Sequence, residues 1–174
     1  MVIDSDDVET KQRLVQAFSS DLIRFYYGTD LIGNEVGAAA KNVVGIAAGM
    51  LDGEGLSSLK GALMSRGTRE VARLIRAMGG SELSAYGLCH LGDYEATVFS
   101  PYSHNRQFGE SFVRGEEYQA LAEGYYTVRA MCQLGEKYGV ELPICRAVYD
   151  ILYEGAAPQE MLNQLLRRSI KNEF

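Results

Sequence analysis

Lys41 stands in the middle of a glycine- and alanine-rich run and has the setting of an acid–base group. Gly33, Gly37, Lys41, Gly45 and Gly49 recur at steps of four, which places successive members close together on a helix. A lysine enclosed by apolar surroundings has a lowered pKa, as proton transfer near neutral pH requires. The alternative is a surface lysine that extends its ammonium group into water, and periodicity alone favours this alternative.

The glycines of this run also predict close packing. Each interior glycine costs a helix about 1 kcal/mol relative to alanine, so several in one helix need a compensating contact. The usual compensation is that another backbone, or a ligand, comes closer than a side chain would allow. We therefore expect the glycine-bearing face to meet a second backbone or a ligand.

A second polar cluster, Ser-Pro-Tyr-Ser-His-Asn-Arg, has the composition of an anion site. Ser100 or Ser103 is placed to cap a helix that starts here, and a helix N-terminus presents free N–H groups to an anion. His104, Asn105 and Arg106 would add side-chain donors. A plainly capped helix with solvated polar residues fits the sequence equally well.

The composition of the 174 residues is that of a globular domain with one core, and it excludes some partners. A net charge of -6 argues against a nucleic-acid surface, which needs positive charge. Cys89, Cys132 and Cys145 have no regular spacing, which predicts reduced thiols in a cytoplasmic protein. His90 and His104 lack partner ligands at metal-site spacing, so no metal is expected.

Neither a leader peptide nor a membrane span is expected. Asp4, Asp6 and Asp7 occupy the place of the basic region of a leader. The longest apolar stretch, residues 36–51, is interrupted by Lys41 and is too short to cross a bilayer.

The arginines of residues 66–76 recur at spacings of three and four, which is typical of a solvated helix face. Glu70 is the expected local partner, and we assign this face no chemistry. The arginines are Arg66, Arg69, Arg73 and Arg76.

The periodic pattern predicts a mainly α chain. Residues 1–3 and 23–27 are rich in β-formers and flank a predicted helix that ends near residue 19. Two short strands around one helix make a poor domain, and they have the character of a sheet edge. The stretch 81–100 is the least regular part and is therefore a candidate for function. Helices are predicted near residues 31–51, 56–78, 102–114, 116–138, 144–154 and 158–168.

Taken in order, these motifs resemble those of the NAD(P)-dependent glycerol-3-phosphate dehydrogenases. The resemblance covers nearly the whole chain, and the ordered set is highly specific although any single piece is weak. The matching segments are Gly-Ala-Ala-Ala-Lys-Asn-Val at residues 37–43, Gly-Ile-Ala-Ala-Gly at 45–49, Leu-Gly-Asp at 91–93, Ser-His-Asn-Arg-Gln-Phe-Gly at 103–109, Glu-Gly-Tyr at 123–125, and residues 137–144, 147–149 and 154–155.

The resemblance implies a fold and a reaction. Residues 30–174 would form a multi-helix substrate-binding domain like that of 6-phosphogluconate dehydrogenase-type enzymes. Residues 1–29 would be a strand-helix-strand remnant of the dinucleotide-binding domain. The enzyme would move hydride between NAD or NADP and the pair dihydroxyacetone phosphate and sn-glycerol 3-phosphate, as a cytoplasmic homodimer.

The resemblance also implies roles for individual residues. Lys41 matches the family's proton donor and acceptor, and Asp93 matches a position that lines the substrate pocket. On physical grounds a carboxylate at Asp93 would also orient the lysine and favour its charged form. The other matching positions are Asn42 and Thr97 in the substrate pocket, Ser103, His104, Asn105 and Arg106 as substrate contacts, and His104, Leu121 and Glu123 as cofactor contacts.

Two departures from the family pattern have consequences. His104 stands where the family usually has an arginine, so the phosphate clamp should be weaker unless Arg106 partly substitutes. No Gly-x-Gly-x-x-Gly turn follows a strand, so the chain resembles a fragment of a longer enzyme and should be inactive alone. Two alternatives remain: a non-catalytic helical binding or dimerisation module, and a related hydroxyacid dehydrogenase.

Overall fold

The computed structural model describes residues 1–167, and helices dominate this part of the chain. A small two-stranded sheet precedes them, as the sequence predicts. The elements are β1 (Val2–Ile3), α1 (Val8–Phe18), β2 (Tyr26–Tyr27), α2 (Leu31–Gly53), α3 (Lys60–Ala77), α4 (His104–Arg114), α5 (Glu123–Tyr138), α6 (Pro143–Tyr153) and α7 (Pro158–Leu166), with 3-10 turns at Ser57–Leu59, Glu82–Tyr86 and Leu91–Asp93 and a π-helical turn at Glu95–Phe99. Among residues 1–167, no helix is both long enough and apolar enough to cross a lipid bilayer.

The first thirty residues form the predicted strand-helix-strand unit. β1 and β2 run parallel, with Val2 opposite Tyr26 and Ile3 opposite Tyr27. Both strands are shorter than predicted, because only two residues of each form the ladder. The unit is joined to the helical part at Asp4, whose carboxylate accepts a hydrogen bond from the backbone N–H of Asp30.

Helix α2 is the centre of the helical part. Asp30 caps it by accepting a hydrogen bond from the N–H of Gly33. Ala40, Val43 and Ile46 are fully buried. Because α2 is apolar around most of its circumference, it packs on several sides at once, against α3, α4, α5 and α6.

The glycines of α2 meet other backbones. The sequence predicted contact with a second backbone or with a ligand, and the first of these is confirmed. A β-carbon at Gly49 would overlap the carbonyl oxygen of Arg106 on α4, and one at Gly109 of α4 would overlap the carbonyl oxygen of Ile46. At the start of α5, a β-carbon on Gly124 would lie 2.6 Å from the carbonyl oxygen of Asn42. Helices α4 and α5 therefore approach α2 at backbone contact distance.

Glu70 has a different partner from the predicted one. It is 2% exposed, and its carboxylate accepts hydrogen bonds from the N–H groups of Ile144 (2.8 Å) and Cys145 (3.0 Å). These are first-turn amides of α6, which otherwise lacks a side-chain cap. Burial raises the pKa of Glu70 above its usual value. Glu70 therefore fixes the start of α6, and treating it as a surface partner of the arginines was wrong.

The largest error in the helix boundaries concerns α5, which begins at Glu123 rather than at residue 116. Gly115 ends α4 with a φ of +70°, and Tyr118 turns back onto α4 instead of joining a helix. The helix predicted from residue 56 begins at Lys60, after a 3-10 turn. The last predicted helix ends at Leu166, and residue 168 lies outside the described residues.

Replacing Gly49 with alanine should destabilise the fold, because the new methyl group would push α4 off α2. Overpacking of this kind costs about 1–3 kcal/mol of unfolding free energy. The measurement is urea unfolding of the chain. Gly61→Ala is the matched control: this exposed glycine lies in α3 with nothing within 4 Å of its β-carbon position, so alanine should stabilise by up to about 1 kcal/mol. Equal effects at the two positions would contradict the packing argument.

Candidate active site

The predicted catalytic lysine is paired with the predicted aspartate. Lys41 Nζ, from α2, donates to Oδ2 of Asp93, which ends the Leu91–Asp93 turn. The two side chains are 25% and 38% exposed, so the amine is partly enclosed and held by a carboxylate. Thr97 lies in the following π-helical turn, and its hydroxyl donates to the Asp93 carbonyl oxygen (2.9 Å). The structure therefore favours the site interpretation over a lysine that extends into water.

His90 fixes this turn to the helix that carries the lysine. Its Nδ1 lies 2.9 Å from the carbonyl oxygen of Gly37, four residues before Lys41. A carbonyl only accepts, so Nδ1 carries the proton, and Nε2 accepts from the hydroxyl of Tyr94 (2.6 Å). His90 is fully buried, and this burial lowers its pKa from 6.5 to about 4. A neutral imidazole thus holds the Asp93 turn against α2.

An amide network joins three helices next to the lysine. Asn105 of α4 donates from Nδ2 to Oδ1 of Asn42 (3.1 Å) and accepts from the N–H of Gly124 (2.8 Å). Asn42 donates in turn to the carboxylate of Glu123 (3.1 Å). The side chains of Asn42, Asn105 and Glu123 and the backbone N–H of Gly124 therefore hold one another in position. This network lies where α2, α4 and α5 come into backbone contact.

The start of α4 has the form of the predicted anion site. Of the two predicted caps, Ser103 is the one that caps the helix, accepting from the N–H of Arg106 (3.3 Å). His104 is the first helical residue and is exposed, and its Nδ1 lies 2.7 Å from the hydroxyl of Tyr118. Free N–H groups of the first turn and the His104 ring are both available to an anion here.

Arg106 points into a cluster of charges behind the site rather than into it. Its guanidinium contacts Asp52 (2.6 Å) and Glu110 (2.9 Å), and its side chain is only 13% exposed. Lys60 also donates to Asp52 (2.5 Å) and to the carbonyl of Val98 (3.1 Å). Burial raises the pKa of Asp52, but the hydrogen bonds from Lys60, Ser57 and Arg106 outweigh it and hold that pKa below its usual value.

The structure thus brings most of the predicted site residues together. Hydrogen bonds link Lys41, Asp93 and Thr97 in one group, and Asn42, Asn105 and Glu123 in another on the same helix α2. Leu121 is 66% exposed on the segment before α5. His104 and Glu123 are exposed as well.

Sequence reasoning missed the residues that support the site from behind. Asp52 and Lys60 gave no signal, because isolated charges in an amphipathic pattern are usually solvated. Tyr118 and Gln107, which hold His104, lie eleven residues apart in segments whose contact depends on a loop. Gly124 is different, because a glycine inside the Glu-Gly motif is consistent with another backbone lying close to it.

A large groove in the described part of the chain lies elsewhere. It has a volume of about 1150 Å³ between α3, α6 and α7, and none of the predicted site residues lines it. Size alone would favour that groove as a binding site. The paired acid and base, the oriented amides and the helix N-terminus converge instead at Lys41, and chemistry is the stronger criterion for an active site.

The comparisons with known proteins point to one group of enzymes. The family model of the NAD-dependent glycerol-3-phosphate dehydrogenase C-terminus matches residues 30–163. A glycerol-3-phosphate dehydrogenase [NAD(P)+] of Thermus thermophilus is 45% identical over 172 residues, covering 95% of this chain and 53% of the relative. One of Chlorobium limicola is 37% identical over 181 residues, covering 99% of this chain and 54% of the relative.

Solved structures show the same fold. A crystal structure of glycerol-3-phosphate dehydrogenase from Coxiella burnetii matches with a TM-score of 0.88 and 31% identity, covering 96% of this chain and 54% of that one. One from Plasmodium falciparum matches with a TM-score of 0.80 at 17% identity, covering 98% of this chain and 52% of that one, which bears on the fold alone. The chain spans about half the length of the relatives that it matches.

His90 should make stability depend on pH in a defined window. The pKa of His90 is about 4 in the folded chain and 6.5 in the unfolded chain. Between these two pH values the unfolded chain therefore binds more protons. Stability therefore falls as pH drops from 6.5 to about 4, by on the order of 3 kcal/mol from this group. Urea unfolding of the wild type and His90→Gln at several pH values measures it. The difference between them should shrink across that window and stay constant above pH 7.5. A pH-independent difference would contradict the assignment.

Proposed function

This chain belongs to the family of the NAD-dependent glycerol-3-phosphate dehydrogenase C-terminus, and from that premise we propose that it is the substrate-binding and catalytic half of such an enzyme. The proposed reaction interconverts dihydroxyacetone phosphate and sn-glycerol 3-phosphate. The observation that carries the proposal is the partly enclosed Lys41–Asp93 pair beside the oriented amides of Asn42 and Asn105.

Lys41 is the proposed proton donor and acceptor. A bound NAD or NADP cofactor supplies or takes the hydride. In the reduction, the Lys41 ammonium donates a proton to the substrate oxygen as the carbonyl becomes a hydroxyl, and in the oxidation the amine takes that proton back. Asp93 orients the amine and stabilises its charge. Thr97 holds the backbone of Asp93, which keeps the carboxylate in place.

The proposed phosphate subsite is the start of α4. Its first-turn N–H groups and the side chains of Ser103 and His104 are directed to the phosphate, while Asn42 and Asn105 bind the carbon end of the substrate. Arg106 was expected to bind phosphate directly. Its ion pairs with Asp52 and Glu110 support an indirect role instead, in which it holds the first turn of α4 in position.

The exposed side of the site is the proposed cofactor face. Glu123 offers a hydrogen-bond acceptor there, His104 an imidazole and Leu121 exposed apolar surface, and this mixture of polar and apolar groups suits a nicotinamide dinucleotide. These residues would bind and orient the cofactor from one side only. We propose that residues 1–29 belong to the dinucleotide-binding domain and residues 30–174 to the substrate domain. Preference between NAD and NADP would be decided outside this chain.

The proposed setting of the enzyme is a cytoplasmic homodimer. In the described residues Cys89, Cys132 and Cys145 are free, and burial raises the pKa of all three thiols, which supports unreactive, reduced cysteines. Closed twofold dimers are the commonest assembly among soluble enzymes, which supports the homodimer. A sedimentation mass of one chain would contradict it.

One observation favours a second candidate, a helical binding or dimerisation module without catalysis. His104 replaces the arginine that is usual in the family, and a histidine is shorter and only partly charged near pH 7. The intact Lys41–Asp93 pair counts against this candidate, because a module without catalysis does not need a partly enclosed amine held by a carboxylate.

Turnover in a hybrid enzyme tests the proposal. The chain is joined to the half of the Thermus thermophilus relative that it does not match, and oxidation of NADH or NADPH by dihydroxyacetone phosphate is followed by absorbance. We expect the hybrid to turn over and the chain alone to show none. Lys41→Met should lower kcat by about 10²–10⁴-fold, the typical share of acid–base catalysis.

Lys137→Met is the control, because this lysine is exposed in the last turn of α5. Its kcat should stay within about twofold of the unsubstituted hybrid, as for a residue outside the reacting group. A folded hybrid that binds NADH but has no turnover, or near-normal turnover of Lys41→Met, would refute the proposed function. The first result would favour the binding module.

A further inference from the structure

A chain of hydrogen bonds runs from the backbone to the His104 ring. Nε2 of Gln107 donates to the carbonyl oxygen of Pro101 (2.5 Å). The hydroxyl of Tyr118 donates to Oε1 of Gln107 (3.2 Å). Nδ1 of His104 lies 2.7 Å from the same hydroxyl oxygen. The ring of Tyr118 also packs edge-on against His104 and Phe108, which fixes its position.

The direction of this chain is determined by its first member. The Pro101 carbonyl can only accept, so the amide nitrogen of Gln107 must face it and the amide oxygen must face Tyr118. Tyr118 has one hydroxyl proton, and donating it to Gln107 leaves its oxygen as an acceptor toward His104. Nδ1 of His104 then carries a proton. When the ring is neutral, Nε2 carries a lone pair and cannot donate to an anion.

We propose that Tyr118 and Gln107 are positioning residues that make phosphate binding at His104 depend on the charged form of the ring. This inference rests on the proposed function, in which His104 contacts the substrate phosphate. A neutral ring would present its Nε2 lone pair to the phosphate oxygens and repel them. A charged ring presents Nε2–H and positive charge together, and so replaces the arginine that is usual in the family only when it is protonated.

Other charged groups lie on the helix that carries the ring and on the neighbouring segments. Tyr118 is the titratable group in direct contact with it, and Glu116 and Glu117 lie exposed on the same segment. On the neighbouring helices, Glu123 is bonded to Asn42 and Lys41 to Asp93. Arg106, on the same helix as His104, is paired with Asp52 and Glu110. Lys41 and Arg106 are therefore paired with carboxylates, whereas Glu116, Glu117 and Glu123 keep their negative charge. Protonation of the ring is thus what supplies positive side-chain charge to the phosphate.

The proton position is measured directly by long-range ¹H–¹⁵N NMR of the chain labelled at histidine. The chain has two histidines, and His104→Arg assigns the signals. At pH 8.5 both rings should carry their proton on Nδ1, His90 because it donates to Gly37. Tyr118→Phe should move the His104 proton toward Nε2 and leave His90 unchanged. A His104 proton on Nε2 in the wild type would overturn the inference.

Binding of sn-glycerol 3-phosphate to the same chain, titrated from pH 5.5 to 8.5, tests the consequence. The apparent Kd of the wild type should rise by up to about tenfold per pH unit once the ring is mostly neutral. Tyr118→Phe should show a smaller rise, and His104→Arg should show none from this residue. Tyr138→Phe, an exposed tyrosine at the end of α5, should behave as the wild type. The second ionisation of the phosphate near pH 6 affects every variant equally, so the comparison is between variants.

The outcomes separate this inference from the proposed function. If sn-glycerol 3-phosphate binds to the wild type and to Tyr118→Phe with the same dependence of Kd on pH, the inference is overturned and the proposed function stays intact. Absence of binding to every variant at every pH overturns both. A wild-type profile that is steeper than that of Tyr118→Phe, together with the Nδ1 proton in the spectrum, supports the inference.

Discussion

The backbone contact of α2 with α4 and α5 is the constraint on which the site depends. Lys41 and Asn42 come from α2, Asn105 from α4, and Gly124 donates from the start of α5. Short amide side chains can bridge three helices only where no β-carbons separate the backbones. Glycines at the crossing points provide that distance, and the packing gained there offsets their unfavourable helix propensity.

A second layer of residues holds the groups that face the substrate. His90 ties the Asp93 turn to α2, and the charge cluster at Asp52 holds the first turn of α4 through Arg106. His90 and the charge cluster are both largely buried. Each is hydrogen-bonded to backbone carbonyl groups, which cannot rotate away as a side chain can. An arrangement of this kind keeps donors and charges in place before a ligand arrives, which is the condition for efficient electrostatic stabilisation.

The sequence was sufficient for the class of the fold, and most residues that it singled out as candidates for the site are joined by hydrogen bonds. The four-residue glycine period predicted close backbone contact, and the strand-helix-strand start and most helices were correctly predicted. Sequence reasoning failed where tertiary contact overrides local pattern. Glu70 has the spacing of a surface ion pair but caps a helix 74 residues away. The segment before α5 has helical composition, yet Tyr118 bonds backwards onto α4 instead. Such contacts depend on the path of the chain, which periodicity does not encode.

The crossing of α2 by α4 has a consequence for how this chain can vary in length. One inserted or deleted residue rotates the rest of an α-helix by about 100°. Between Lys41 and Gly49, such a change would turn the lysine away from Asp93 or turn the glycine face away from α4. The two features cannot be adjusted separately, because one rigid helix carries both. The spacing of eight residues between them is therefore fixed by geometry, and length variation in related chains should be confined to segments outside this interval.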